Sequence, residues 1–348
     1  MLKKFVYTLL SFVISLALAV LVLFWLAEDT RQQKLQLATP ELLQVERGNT
    51  PVALLGRLEQ RGVISGSIWI RLLWRLQQSS PGVQIGEYSI DGQMTVADLL
   101  EKWRSGEVEQ YRLTLVEGWN FTQLRAAMAR TDELQHSIGE LSDGEIMRLL
   151  GQEGVHPEGQ FYPDTYYFTR GQKDLELLRQ ANQRLRQVLA EEWEQRAEGL
   201  PYSGPEQALI MASIIEKETG AAHERKQIAG VFVRRLQKRM LLQTDPTVIY
   251  GMGDSYQGRI RRSDLRTPTP YNTYVIRGLP PTPIAMVGRE AIHAALHPAD
   301  GDSLYFVAKG DGTHHFSSTL AEHNRAVRKY QLQRRPDYRS TVEPQEQQ

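Results

Sequence analysis

Two glutamates close a strongly apolar run, Ala208-Leu209-Ile210-Met211-Ala212-Ser213-Ile214-Ile215-Glu216-Lys217-Glu218-Thr219-Gly220. Seven of its first eight residues are apolar, so a helix here is buried around most of its circumference. Helical neighbours separate the two carboxylates. Three, four and seven residues before Glu218 stand Ile215, Ile214 and Met211; the same offsets from Glu216 give Ser213, Ala212 and Leu209. Glu218 therefore lies on the greasier line. Gly220 suggests a C-terminal cap, which puts Glu218 in the last turn, where the helix dipole disfavours negative charge. Desolvation and dipole both favour the neutral carboxyl that a general acid needs near neutral pH. The plain alternative is a pair of surface charges where a buried helix emerges into solvent.

Polar loops downstream offer partners. Leu242-Gln243-Thr244-Asp245-Pro246-Thr247-Val248-Ile249-Tyr250-Gly251 reads as a loop entering a short strand, and Pro270-Tyr271-Asn272-Thr273-Tyr274 with Gly278-Leu279-Pro280-Pro281 as a rigid aromatic–polar loop. Tyrosine and amide side chains suit a carbohydrate, whose C–H faces stack on rings and whose hydroxyl and N-acetyl groups take hydrogen bonds. His314-His315-Phe316 and Glu322-His323 match no zinc spacing, so no metal is expected. G-x-S-x-G, Walker A and G-x-G-x-x-G motifs are absent, and no cofactor is expected. With no cysteine there is no thiolate nucleophile, disulfide or Cys-ligated metal, which leaves a carboxylic acid as the best catalyst. Balanced charge, 41 Lys+Arg against 41 Asp+Glu, argues against a nucleic-acid partner.

The elements that must position these residues begin with a membrane-crossing segment. No charge interrupts the run from Phe5 to Ala27; Lys3 and Lys4 precede it and Glu28 and Asp29 follow. As a helix it spans roughly 34 Å, enough for a hydrocarbon core. The flanking charges place the N-terminus in the cytoplasm and the rest outside. Ala17-Leu18-Ala19 offers a signal-peptide cleavage site as the alternative, but the apolar run continues eight residues past it.

Residues 30–47 read as a polar stalk. A small α/β unit follows at 48–108: a helix opened by Thr50-Pro51, a helix through Ile68, Ile70, Leu72, Leu73 and Leu76, a strand from Gly82 to Ile90, and a helix capped by Thr95. A larger α+β unit spans 109–334. It holds a strand at Tyr111, helices near Leu124 and Asp143, an extended stretch around Pro163, and long helices from Asp174, Gln207 and Arg225. Short strands are expected at 247–250, 274–276 and 304–308. Residues 335–348, rich in Pro, Gln and Glu, read as a disordered tail. The expected fold class is α+β behind a single N-terminal transmembrane helix.

Several of these stretches resemble, in the same order, the endolytic murein transglycosylases of the MltG (YceG-like) family. They are Met211-Ala212-Ser213-Ile214-Ile215-Glu216-Lys217-Glu218-Thr219, Leu242 to Tyr250, Pro270 to Tyr274, Gly278 to Pro281, Leu304 to Ala308, and His315-Phe316 with Glu322-His323-Asn324. Thr282 and Met286-Val287-Gly288 depart from the family pattern, which usually has Gly and Asn-Pro-Gly there. The resemblance covers nearly the whole chain and implies that the small unit is LysM-like and that the second Glu of the E-K-E motif, Glu218, is the catalytic acid/base. It implies cleavage, without water, of the β-1,4 bond between N-acetylmuramic acid and N-acetylglucosamine inside peptidoglycan strands, leaving a 1,6-anhydro end. It also suggests partners among the peptidoglycan synthases. Gln243, Asp245, Tyr271 and Asn272 are expected to line the cleft. Asp245 and Asp164 are candidate second carboxylates for a hydrolase of the muramidase type, and a membrane-anchored peptidoglycan-binding scaffold without catalysis is a further alternative.

Overall fold

A computed structural model describes residues 2–77 and 82–332. The tail expected at 335–348 lies outside them. The chain divides into two compact units, one holding the residues up to Tyr111 together with Tyr167–Gln172 and the other holding the remainder.

The first unit opens with α1, Leu2–Gln32. Its apolar stretch has a mean hydropathy of 2.8, and only 6% of it is buried. It is long and apolar enough to cross a membrane. Then come β1 (Glu41–Val45), α2 (Pro51–Gln60), α3 (Ser67–Gln77), β2 (Gly86–Ile90) and α4 (Val96–Ser105). Thr50 caps α2 by accepting from the Ala53 N–H, with Pro51 in the first turn. A reciprocal Thr95–Asp98 capping box opens α4, and Gly106 closes it at φ 73°, a left-handed conformation that glycine adopts without penalty. β1 and β2 pair antiparallel, Leu43 opposite Tyr88 and Val45 opposite Gly86. Alternation sends Leu43, Val45, Tyr88 and Ile90 inward against Leu54, Leu58, Ile70, Leu99 and Trp103.

The expected stalk is therefore corrected. Leu35 is buried, its N–H donates to Met94 O at 2.8 Å, and five residues of the supposed linker are a paired strand. Leu42, Leu43 and Val45 looked scattered because their partner strand lies some forty residues on, and pairing of that range leaves no local signature.

β3 (Tyr111–Thr114) and β4 (Thr165–Phe168) form a two-stranded ribbon, and the second unit holds α5 (Phe121–Ala129) and α6 (Asp143–Leu149), which lie between these strands in sequence. The core gathers on α7 (Asp174–Glu194), α8 (Pro205–Glu218), α9 (Arg225–Gln237), α10 (Asp245–Met252) and α11 (Arg289–Leu296). Eight consecutive residues of α8, Ala208 to Ile215, are buried, and α7, α9, α10 and α11 all pack on this helix. The hairpin β5 (Tyr305–Ala308) and β6 (His314–Ser317) pairs Phe306 with Phe316, and α12 (Leu320–Val327) follows.

Three local expectations differ here. Residues 247–250, read as a strand from their β-branched content, belong to α10, because Asp245-Pro246 opens a helix. Residues 274–276 form a turn in which the Val275 and Ile276 N–H groups both donate to Asn272 O at 2.9 Å. Gly220 is no left-handed cap: α8 ends at an extended Thr219 (φ −144°, ψ 133°), whose hydroxyl accepts from the Ala221 N–H at 2.9 Å.

Candidate active site

Both carboxylates at the end of α8 are withdrawn from water, but their partners differ. The Glu216 side chain is 7% exposed, lies 3.8 Å from Arg225 Nη2 and accepts the Gly288 N–H at 3.3 Å. Burial raises its pKa, reinforced by the Glu117 charge and opposed by Arg225. Glu216 thus ties α8 to α9 and to the head of α11. Glu218 instead accepts a hydrogen bond from Thr244 Oγ1 and opens on a cleft of about 480 Å³. Its pKa is pushed up to about 7, chiefly by burial; the Asp245 charge adds to this, while the Thr244 hydroxyl and the Arg235 charge oppose it. Burial alone does not separate the two glutamates; an ion pair on one and a cleft beside the other does.

The hydroxyl on Glu218 is held by a knot of buried threonines. The Thr244 N–H donates to Thr273 Oγ1 at 3.1 Å, Thr247 Oγ1 donates to Thr244 O at 2.8 Å, and the Thr247 and Thr273 hydroxyls meet at 2.8 Å. This knot joins the start of α10 to the 269–276 turn. Gln243, just before it, adopts φ 53°, a left-handed backbone that a non-glycine residue takes up at a cost, with its N–H on Thr273 O at 3.1 Å.

Of the expected binding residues, Gln243 and Asp245 lie in the Glu218 cleft. Asp245 Oδ1 accepts from the Tyr274 hydroxyl at 2.6 Å, and Tyr274 lines the same cleft. Tyr271 and Asn272 are not part of its lining, which corrects their expected position. Asn272 is 1% exposed; its Nδ2 donates to Asp264 O at 3.0 Å and Thr267 O at 2.7 Å, while its Oδ1 takes the Tyr274 N–H at 3.0 Å. It shapes the turn that presents Tyr274. Tyr271 packs edge-on against Tyr250 at 4.7 Å, and its hydroxyl meets Thr282 Oγ1 at 2.9 Å. The departure at Thr282 is thus a hydrogen-bonding partner for that tyrosine. Asp164 accepts from the Thr165 N–H at 2.7 Å and takes no part in the cleft, which leaves Asp245 as its second carboxylate.

Arg235, Tyr305, His314 and His323 line the same cleft, and Arg235 had no signal in the sequence. Arg235 is 7% exposed, its Nε on Leu304 O at 2.7 Å and its Nη1 on Leu242 O at 2.7 Å, with the guanidinium 5.1 Å from the Tyr305 ring centre. Burial lowers its pKa. His314 Nδ1 lies 2.7 Å from Glu224 Oε2, and its backbone N–H donates to Glu224 Oε1 at 2.9 Å. His323 stacks on Tyr305 at 5.2 Å, and burial together with the Arg235 charge lowers its pKa. In the sequence the histidines fail as a metal motif and His323 belongs to a stretch that carries the family resemblance, whereas Arg235 is one helical cation among several.

Among the described residues, one trio brings metal-binding atoms together, Glu192, His293 and His297, within 4.8 Å. Each is already engaged. Glu192 takes Arg289 Nη1 at 2.8 Å and faces His293 Nδ1 at 2.9 Å, and His297 Nε2 lies 2.8 Å from Gln195 O. The trio reads as an ion-paired seam between α7 and α11.

The chain is similar to several known proteins. The family model described as YceG-like matches residues 43–329. A Bacillus subtilis protein named endolytic murein transglycosylase is 34% identical over 307 residues, 83% of this chain and 84% of that one. A Streptococcus pneumoniae protein of the same name is 24% identical over 312 residues, 78% of this chain and 54% of that one. A crystal structure of a yceG-like protein from Listeria monocytogenes is 26% identical, covers 82% of this chain and 99% of that chain, and superposes with a TM-score of 0.49.

Proposed function

The chain belongs to the YceG-like family, and from that premise we propose that it is a membrane-anchored endolytic murein transglycosylase whose acid/base is Glu218. The observation that carries the assignment is a carboxyl at the end of a buried helix, facing a cleft, with a hydroxyl rather than a cation as its hydrogen-bond partner and a pKa near 7.

The chemistry follows from that protonation state. Neutral Glu218 donates its proton to the glycosidic oxygen as the bond to muramic C1 breaks. The carboxylate so formed takes the proton of the muramic C6 hydroxyl, whose oxygen closes on C1. The net change moves one proton from O6 to the leaving oxygen and leaves a 1,6-anhydro ring; no water is consumed. A single acid/base suffices because the nucleophile is tethered to the reacting sugar. Gln243, Asp245, Tyr274, Tyr305, His314 and His323, all in the cleft lining, are the proposed sugar contacts.

The first unit is proposed to be LysM-like and to hold glycan, with its boundary moved back to take in β1. The N-terminus is proposed to be cytoplasmic and both units to lie outside the membrane. Peptidoglycan synthases are proposed as partners, and strand termination as the role. A muramidase reading draws support from Asp245 beside Glu218, since a hydrolase needs a second carboxylate to direct water. The deciding experiment is digestion of purified glycan strands with product mass analysis: anhydro-muramic ends support the transglycosylase, and reducing ends the hydrolase.

A further inference from the structure

We propose that α3 is an interfacial helix, its Ile68–Leu72–Leu76 face lying at the headgroup–acyl boundary of the bilayer that α1 crosses. This rests on the reading of α1 as a membrane span. Leu23, Ala27 and Thr30 make one buried stripe along α1, at 9%, 0% and 5% exposure. The covering comes from the same unit: α1 packs on α3 and α4, Thr30 Oγ1 donates to Gly66 O at 3.3 Å beside the head of α3, and Trp69, Leu73 and Trp74 pack against the core that contains Ala27. Leu23 lies one turn, about 6 Å, deeper in the apolar run than Ala27. The first unit therefore covers α1 below the level at which Glu28 and Asp29 mark the return to water.

α3, packed along α1 with its head beside Thr30, is apolar on two sides. Ile70 is buried at 1%, yet Ile68, Leu72 and Leu76, four residues apart on one line, are exposed at 49%, 38% and 62%. A helix turned to water carries polar side chains on such a line. The exposed Arg75 and the half-buried Trp69 and Trp74 belong to the same helix, as does Arg71, which faces Glu59 at 3.9 Å, and Trp25 on α1 is 65% exposed. Apolar side chains beside tryptophan and arginine suit the membrane interface, where rings sit among headgroups and guanidiniums reach phosphate. A lipid surface is favoured over a protein partner because the patch belongs to the helix packed on the membrane-crossing segment itself.

The absence of cysteine makes the test direct. Full-length chain carrying a single Ile68→Cys, Leu72→Cys or Leu76→Cys substitution is spin-labelled in phosphatidylethanolamine–phosphatidylglycerol nanodiscs. Relaxation by oxygen, which partitions into lipid, is compared with relaxation by a water-soluble nickel chelate. Phe12→Cys serves as the in-span reference and Gln44→Cys, on an exposed β1 position, as the aqueous one. The proposal expects oxygen-to-nickel ratios at 68, 72 and 76 severalfold above that at 44 and approaching that at 12. Ratios equal to that at 44 overturn it, and so does protection from both reagents, which means a protein covers the face. An aqueous result at position 12 instead sinks the membrane-span reading itself.

Discussion

Glu218 can be tested through its proton. Replacing it by Gln removes the acid while keeping the shape, and cleavage should fall about a hundred- to ten-thousand-fold. In the proposed mechanism the neutral form starts the reaction, so wild-type activity should decline as pH rises through about 7. The Thr244 hydroxyl stabilises the carboxylate, so Thr244→Val should raise the Glu218 pKa further and move that falling limb to higher pH; an unmoved limb in the pH–rate profile assigns the titration elsewhere. Stability has a related sign. Glu218 has a raised folded pKa, so the native state holds its proton more tightly than the unfolded chain, and its contribution is lost as pH climbs from about 4.5 to about 7. Glu218→Gln should therefore melt higher than wild type at pH 8, with the gap closing below pH 4.5. Asn272 and Gln243 should part company in the same assays. Asn272→Ala orphans the Thr267 carbonyl and the Tyr274 N–H, at about 1–3 kcal/mol for each buried group left unsatisfied, leaves the Asp264 carbonyl with the Thr267 N–H alone, and should lower the melting temperature. Gln243→Ala should instead raise KM with little change in melting temperature.

At the scale of elements, the sequence was legible where the signal is local. Thr50-Pro51, Thr95 and the periodic leucines marked α2 and α4, and the apolar run marked α8. It misled where local chemistry and tertiary context disagree. Thr247-Val248-Ile249-Tyr250 has strand composition, yet the proline at the head of α10 and the buried Thr247 and Val248 make it a helix. β1 was invisible because its partner is remote. α12 carried a readable sign that went unused, the Thr319–Glu322 capping box. The candidate site was half legible for the same reason: Glu218 stands on a helix whose pattern is visible, whereas Arg235 reaches Tyr305, and His314 reaches Glu224, only through the fold. β1 supplies the element-scale prediction. Leu43 is 7% exposed, so Leu43→Ala should cost about 2–5 kcal/mol and remove hydrogen-exchange protection from β1 and β2 together. A solvated stalk would lose no more than about 0.5 kcal/mol at that position.

For the whole molecule, the even charge balance suits a protein that works on a wall polymer rather than on nucleic acid, and the apolar residues fall into three uses. They form the exposed surface of α1, the core of each unit, and the buried helix that ends at Glu218. That last use concerns the central claim, a single acid/base that closes a sugar on itself. The most direct measurement is the mass of the products released from purified glycan strands by the wild-type chain and by Glu218→Gln. Anhydro-muramic ends, one water lighter than reducing ends, should come from the wild type and vanish with the substitution. Reducing ends from the wild type, or anhydro ends that persist in Glu218→Gln, would contradict it.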